Sequence, residues 1–468
     1  MPQIPIDLRP QPLPNPHSLP GLRSASRSRN WAGPVVVALL SATVFGWDLA
    51  AEPHFVDESA YISQSFYADL WLAGRWDDPT WICYAGYDLP PMPKYVIGLA
   101  LRAADYRRPG PLAMAAWYED TRSRFVPRAA LVVARRPSVA FGVLGCMAAY
   151  ALGAMALDRR LGLAASLLLM ANPLYAMHAR RAMSDVPAES LILAGLAVGL
   201  WAFKQILGGR SVRWPVAALV LGSGVLGGLA TLSKLNGALG GFTLGAWAVL
   251  ALALPGLRAR IMRNLLLATF ASGVVSFATF AALNPFLFAH PTGPPDPATA
   301  PIVGLGFVER VKVVANHRVG VSDRAKSSFP DDALTSPLEK VKAVVVQGLG
   351  RFGPLGPRGW TDSTLRFDWE QDRGAWVWGP IVALGLLSTL TRGWTQIRSG
   401  EVPAAWAVTI QAVVALAVVT AFIPLAWDRY YLSIQPALAL VGGFAVVEAI
   451  DLVRPFLAGR QAGSEPNP

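Results

Sequence analysis

From residue 32 onward the chain alternates long apolar stretches with short polar ones. About 20 predominantly apolar residues cross a bilayer as a helix. That rule predicts ten spans, at 32–50, 134–157, 163–179, 186–203, 215–232, 236–255, 264–283, 375–391, 402–424 and 431–450. The piece "KYVIGLALRAA" (94–104) is too short to span in the regular way. It is read as interfacial, re-entrant or part of an eleventh span. The fold class expected is therefore an all-α polytopic membrane bundle of ten or eleven helices.

Two segments interrupt the bundle, 51–133 and 284–374. Loops of this length are either functional or disordered. Both mix Trp, Tyr and Pro with helix-like stretches. "VGLGFVERVKVVANHRV" and "PLEKVKAVVVQGL" read as amphipathic helices lying on the membrane. The expected organisation is a disordered cytoplasmic tail (1–31), a core of 32–283 that includes the first long loop, a second long loop (284–374), C-terminal helices (375–450) and a cytoplasmic tail (451–468). The run after Arg23, Arg27 and Arg29 is longer than a signal-peptide core and starts late, so it reads as an anchor.

Charge sets the orientation. With the N-terminus inside, the inner turns hold ten basic residues: Arg159, Arg160, Lys204, Arg210, Arg213, Arg258, Arg260, Arg263, Arg392 and Arg398. The short outer turns hold four, Arg180, Arg181, Lys234 and Arg429. Both termini are expected in the cytoplasm and both long loops outside, in a plasma or inner membrane.

Composition agrees with the pattern. Hydrophobic residues make up 53% of the chain and charged ones only 15%, against about a quarter in soluble proteins. The net charge of +11 needs an anionic partner. No nucleic-acid module is present and the cations cluster at span ends, so phosphate-bearing lipid is the partner expected. Cys83 and Cys146 are placed too differently to form a disulfide, and no metal-ligand spacing occurs.

Candidate chemistry lies at the span ends. In "EPHFVDESAYISQS", Asp57 and Glu58 follow directly on the first apolar run. Asp57 reads either as a helix N-cap or as a base at the membrane surface. The two are compatible, since a helix N-terminus favours the carboxylate. In "YDLPPMPKYVIGL", Pro90, Pro91 and Pro93 stiffen the approach to Lys94, which is either a snorkelling lysine or a phosphate-facing cation. Arg135 and Arg136 end the second span; Arg180, Arg181 and Asp185 share the next outer turn; Lys234 ends the fifth span; Asp428, Arg429, Tyr430 and Tyr431 open the last. Singly, each is an ordinary interfacial anchor. Together they put cations in outer turns, where the charge rule disfavours them, and an anionic lipid headgroup would explain that. His178 reads as a helix-end hydrogen-bonding residue. Asp77 and Asp78 only superficially suggest a metal dyad.

The order of "FVDESAY", "DLPPMPKYVIGL", "RRPSVAFG", "NPLYAMHARRAMSD", "GLATLSKLNG", "NPFLFAHP" and "WDRYYLSIQP" resembles the GT-C glycosyltransferases, nearest the protein O-mannosyltransferases and the lipid A aminoarabinose transferases. The resemblance runs from about residue 32 to 450 and implies a GT-C-type bundle, a polyprenyl-phosphate sugar donor and an extracytoplasmic site. It implies Asp57 as general base of an inverting transfer, with Glu58 beside it. Lys94, Arg136, Arg180, Arg181, Lys234 and Arg429 become the candidates for holding the donor phosphate, and His54, Tyr61, Asp185 and Tyr430 for lining the pocket. No metal or other cofactor is required. The acceptor is a protein, a lipid or an envelope glycan. The sequence departs from the family pattern in carrying "LPPMPK" where many members have His-Pro-Pro-Leu or Lys-Pro-Pro-Leu, and the extra luminal sugar-binding domain of the eukaryotic mannosyltransferases is not expected in it. Those departures bear on the acceptor and not on the donor. A transporter of a lipid-linked or small anionic substrate, and a non-catalytic lipid-binding member, are the alternatives.

Overall fold

The computed structural model describes residues 32–108, 126–209, 212–254, 257–291, 300–356 and 372–462. The tail 1–31 expected to be disordered lies outside the described residues. The chain is all-α. Its helices are α1 (Ala32–Gly46), α2 (Val56–Ser63), α3 (Pro91–Ala103), α4 (Arg128–Ala156), α5 (Arg159–Ala171), α6 (Pro173–Ala179), α7 (Asp185–Leu207) and α8 (Trp214–Ser233), then α9 (Leu239–Leu252), α10 (Ala259–Ala282), α11 (Phe307–Ser328), α12 (Pro337–Val346), α13 (Gly374–Arg398), α14 (Ala404–Phe422), α15 (Asp428–Tyr431) and α16 (Gln435–Ala462). Short turns of helix such as Tyr67–Leu72 and Tyr84–Tyr87 punctuate the first long loop.

Eight of the described helices are long and apolar enough to cross a membrane, and nine if the bent pair α5–α6 is one span. Nine of the ten expected spans are among these and the first falls short, with three corrections to the expected bounds. The first ends at Gly46, because Trp47 to Ala50 form a turn; at 1.5 Å per residue its 15 residues cover about 22 Å. The third is not continuous: α5 and α6 meet at 72°. Pro173 cannot donate a helix hydrogen bond, and Asn172 restarts the helix by accepting from the Tyr175 amide at 2.8 Å. The last helix runs on to Ala462, through the residues expected to form a tail. The segment 94–104 belongs to α3, a 13-residue helix.

Helix α7 is the hub. In its apolar window 89% of residues are buried, against 11% in α10, which faces outward. Helix α7 packs on α4 and α8, α8 on α10, α4 on α1 and α5, and α16 on α5 and α13. Small residues permit close crossings: a Cβ at Gly385 of α13 would lie 2.1 Å from the Val441 carbonyl of α16, and one at Gly224 of α8 2.6 Å from the Ser272 carbonyl of α10. The two expected amphipathic helices of the second long loop are present as α11 and α12. Ser336 and Glu339 begin α12 with a capping box.

Candidate active site

The two acids of "FVDES" sit in the first turn of α2, where acids suit the positive end of the helix. The N-cap is Phe55 and not Asp57, so Asp57 is not consumed in capping.

Glu58 is sealed in. Its carboxylate takes a bidentate pair of hydrogen bonds from Arg135 of α4, at 2.8 and 2.7 Å. It also accepts from the Ala182 amide at 2.8 Å and the Phe55 amide at 3.0 Å. The side chains of Arg135 and Glu58 are 1% and 0% exposed. Arg135 goes on to donate to the carbonyls of Leu49, Glu52 and Pro53. This pair ties α2, α4 and the turn after α6 together. Charge-assisted bidentate bonds of this kind fix geometry as well as energy.

Arg180 and Arg181 complete that framework. Both reach Glu52, at 3.2 and 3.3 Å. Arg180 also donates to the Trp47 and Asp48 carbonyls just past α1, at 2.6 and 2.8 Å. Arg181 lies 4.7 Å from the centre of the Phe55 ring. Arg136 is exposed on α4, and its neighbour Arg135 takes the inward place. His54 bonds Ser59 at 2.8 Å.

Asp57 faces a different set. It is ion-paired with Arg429 of α15, with side chains 15% and 27% exposed. Asp185 and Asp428 both act on it electrostatically. Lys234 neutralises Asp185 at 2.7 Å. Tyr61, one turn along α2, donates to Ser184 at 2.7 Å and feels both Asp57 and Asp185. The Tyr430 ring packs 5.5 Å from the Arg429 guanidinium. His178 is buried 3.7 Å from the Asp428 carboxylate and, among the described residues, makes no hydrogen bond through either ring nitrogen. Lys234 reaches this place because the chain turns back hard at Gly237, where a Cβ would lie 2.1 Å from the Ala230 backbone.

Burial pushes the Asp57 carboxyl up from its usual 3.8; Arg429 opposes the shift, and Asp185 and Asp428 add to it. The expectation that the helix end alone keeps this base ionised is thus replaced by a balance of burial against Arg429. Burial also raises the Tyr61 phenol and keeps it a donor.

Lys94 is turned inward. It is buried, donates to the Ala85 carbonyl and lies 4.8 Å from the centre of the Tyr67 ring. Burial pushes its ammonium down to about 7. Beside it, His317 of α11 bonds Asp88 at 2.8 Å, so the second long loop rests on the first. Burial raises the Asp88 carboxyl, but His317 and Arg318 overcome it and the net direction is down. Arg318 makes no side-chain hydrogen bond or ion pair among the described residues. It acts on Tyr61, Asp88 and Lys94.

Asp57, Tyr61, Asp185, Lys234, Arg429 and Tyr430 are therefore brought together, whereas Glu58, Arg180 and Arg181 brace them, Arg136 is exposed on α4, and Lys94 is buried against the Ala85 carbonyl and the Tyr67 ring. Asp428, Arg135, Arg318 and the intramembrane Glu189 are the participants that motif reading left out of the site. A separate cavity of about 510 Å³ runs between α7, α8, α9, α10 and α11, lined by Leu235, Gly195, Gly227, Ser276, Phe280 and Val314 among others. Leu235 is the residue after Lys234. Among the described residues no group of three or more His, Cys, Asp or Glu is placed to hold a metal ion.

No protein-family model and no curated protein sequence matches the chain. Solved structures do. The archaeal oligosaccharyltransferase AglB from Archaeoglobus fulgidus, in complex with an inhibitory peptide and a dolichol-phosphate, superposes over 94% of this chain and 53% of its own, with TM-score 0.55 and 16% identity. A second structure of the Archaeoglobus fulgidus oligosaccharyltransferase, tethered to an acceptor peptide, gives TM-score 0.54 at 15% identity, over 91% and 50% of the chains. ArnT from Cupriavidus metallidurans bound to undecaprenyl phosphate gives TM-score 0.50 at 16% identity, over 89% and 60%. The chain spans a little over half the length of these proteins. Its architecture is that of a polytopic membrane protein with the GT-C-type fold.

Proposed function

We propose that this chain is a membrane glycosyltransferase that moves a sugar from a polyprenyl-phosphate donor to an acceptor on the extracytoplasmic face, with Asp57 as general base. The observation that carries the reading is the placement of Asp57, exposed enough to be reached, against Arg429, with the Asp185–Lys234 pair beside it and an apolar cavity that begins at Leu235, the residue after Lys234. A lipid-linked phosphate needs that combination: fixed cations at the bilayer surface and an apolar slot for the chain. AglB and ArnT, which share the fold, were crystallised with dolichol-phosphate and undecaprenyl phosphate.

In the reaction, an acceptor hydroxyl or amine attacks the anomeric carbon from the face opposite the phosphate. Its proton passes to Asp57, the bond from carbon to phosphate oxygen breaks, and the electron pair leaves with the polyprenyl phosphate. Base catalysis of this kind contributes about 10²–10⁴-fold. Cations already in place at the leaving oxygens lower the barrier further, because no reorganisation is needed as charge grows there. Arg429 has a double task. In the resting site it holds Asp57; with donor bound, the phosphate competes for it and releases the carboxylate to act. Arg318, unpaired and directed at the same region from α11, supplies a second cation. Desolvation makes Asp57 a stronger base than a surface aspartate, which suits it to a hydroxyl proton.

The test is mass spectrometry of cell-envelope proteins, lipids and glycans from cells with and without the chain. One sugar is expected to disappear with the chain, to return with the wild-type sequence and to stay absent with Asp57→Asn. An unchanged set of glycans, or full restoration by Asp57→Asn, would overturn the reading.

A further inference from the structure

We infer that Glu189, which the transfer mechanism does not use, is a positioning residue of this site. The inference rests on the reading of the Asp57 cluster as the active site. Glu189 lies within the spanning helix α7 and is buried, 3% exposed. An acid inside a membrane helix is costly and marks function by default. Its Oε1 accepts from the Asn236 side-chain amide at 2.9 Å and from the Ser433 hydroxyl at 2.6 Å. Asn236 and Ser433 are themselves joined at 2.8 Å, so the three side chains close a triangle.

Each corner comes from the element that delivers a member of the charged cluster. Glu189 is four residues after Asp185 on α7. Asn236 is two residues after Lys234, inside the turn closed at Gly237. Ser433 is four residues after Arg429, on the 3₁₀ turn between α15 and α16. Residues four apart on a helix share a face, one turn or about 5.4 Å apart. The triangle thus lies one turn along α7 from Asp185, and it bolts together the three elements that carry Asp185, Lys234 and Arg429. The spacing between Lys234 and Arg429, which must match a phosphate, is set by uncharged donors on a single carboxylate. Among the described residues Glu189 has no ion-pair partner, and Lys234 acts on it only electrostatically: its hydrogen bonds lock distance and leave the cations for the ligand.

The test reads the lock without needing the natural sugar or acceptor. The purified full-length protein in nanodiscs is treated with an amine-reactive ester, and acylation of Lys234 is followed by mass spectrometry. In parallel, binding of undecaprenyl phosphate is measured. Losing a hydrogen bond to a charged group is worth about tenfold or more in an equilibrium constant. Glu189→Ala should therefore raise the acylation rate of Lys234 and weaken undecaprenyl phosphate binding by about that factor. Glu189→Gln keeps an acceptor oxygen for Asn236 and Ser433 and should restore both readouts to within about twofold. If Glu189→Ala does not fold, Ser433→Ala, which removes one edge of the triangle and no charge, should shift both readouts in the same direction by less. Wild-type acylation of Lys234 in the Ala variants, or a Gln variant as labile as Ala, would overturn the inference. Failure of the wild-type protein to bind undecaprenyl phosphate would count against the proposed function instead, and the Lys234 rates would still decide the triangle.

Discussion

Glu58 and Arg135 meet with side chains 0% and 1% exposed, while Asp57 and Arg429, anchored one residue away on α2, meet with 15% and 27%. Every oxygen of Glu58 is taken, by a bidentate arginine and two backbone amides. Asp57 has one cation, and that cation lies partly open. The first pair cannot be separated without stranding a charge in the interior. The second can be, by any anion that competes for Arg429. Adjacent acids thus divide the work of framework and chemistry, and the division is made by the partner each one finds across the bundle.

The largest effect expected is on transfer. Asp57→Asn keeps shape and removes the base, so the rate should fall by about 10²–10⁴-fold. Expression and unfolding temperature should stay near wild type. Sugar incorporation in complemented cells measures the first, and a thermal melt in detergent the second. A variant that unfolds would erase the distinction between the two acids. Glu58→Ala should do the opposite and cost about 3–5 kcal/mol of stability by leaving Arg135 buried without its counter-charge. The double change Glu58→Ala with Arg135→Met should recover part of that loss. A Glu58→Ala protein that melts like wild type yet transfers nothing would make Glu58 a second acid of the site.

A smaller effect concerns pH. Burial holds the Asp57 carboxyl above its ordinary 3.8, and a base works only when ionised. Transfer should therefore fall with decreasing pH at a higher pH than an ordinary aspartate would give. Because the folded carboxyl is raised, its proton favours the folded state, so ionising Asp57 on the way to neutral pH weakens the fold slightly. Asp57→Asn should flatten that part of the stability profile, measured as melting temperature against pH.

Much of the architecture could be read from apolar run lengths, because backbone groups inside a bilayer must be satisfied within the helix. The breaks were harder. The bend at Asn172–Pro173 and the end of α1 at Gly46 lie inside apolar stretches, and hydropathy is blind to them. Site residues were legible as a set of polar positions at span ends, but not which of two neighbours points inward. The doublet Arg135–Arg136 shows why. Adjacent helix residues lie about 100° apart. Arg135 belongs to the small, buried stripe that continues through Ser138, Gly142 and Gly145, and Arg136 does not. That spacing was available, whereas the identity of the partner, Glu58, lies 77 residues away and emerges only from the packing. Arg318 was hidden for the same reason, and the approach of His178 to Asp428, distant in sequence, likewise emerges only from the packing.

Lys94 tests whether the contrast between sealed and open charges extends to the cations. Like Arg135 it is buried, and like Arg135 it donates to a backbone carbonyl, but it has no carboxylate in ion-pair contact. Asp88 favours its charge only from a distance, and burial prevails, holding it down to about 7 against an ordinary 10.5. A base with a depressed folded value binds fewer protons than the unfolded chain does. Stability should therefore rise with pH from about 7 toward 10, at about 1 kcal/mol per pH unit. Lys94→Met keeps the length and the contact with Tyr67 and should remove that slope, read as melting temperature between pH 7 and 9. It should also leave undecaprenyl phosphate binding within about twofold of wild type, since the Lys94 ammonium is already committed to the Ala85 carbonyl. A variant that keeps the slope but loses the lipid would move Lys94 from the sealed framework to the open site.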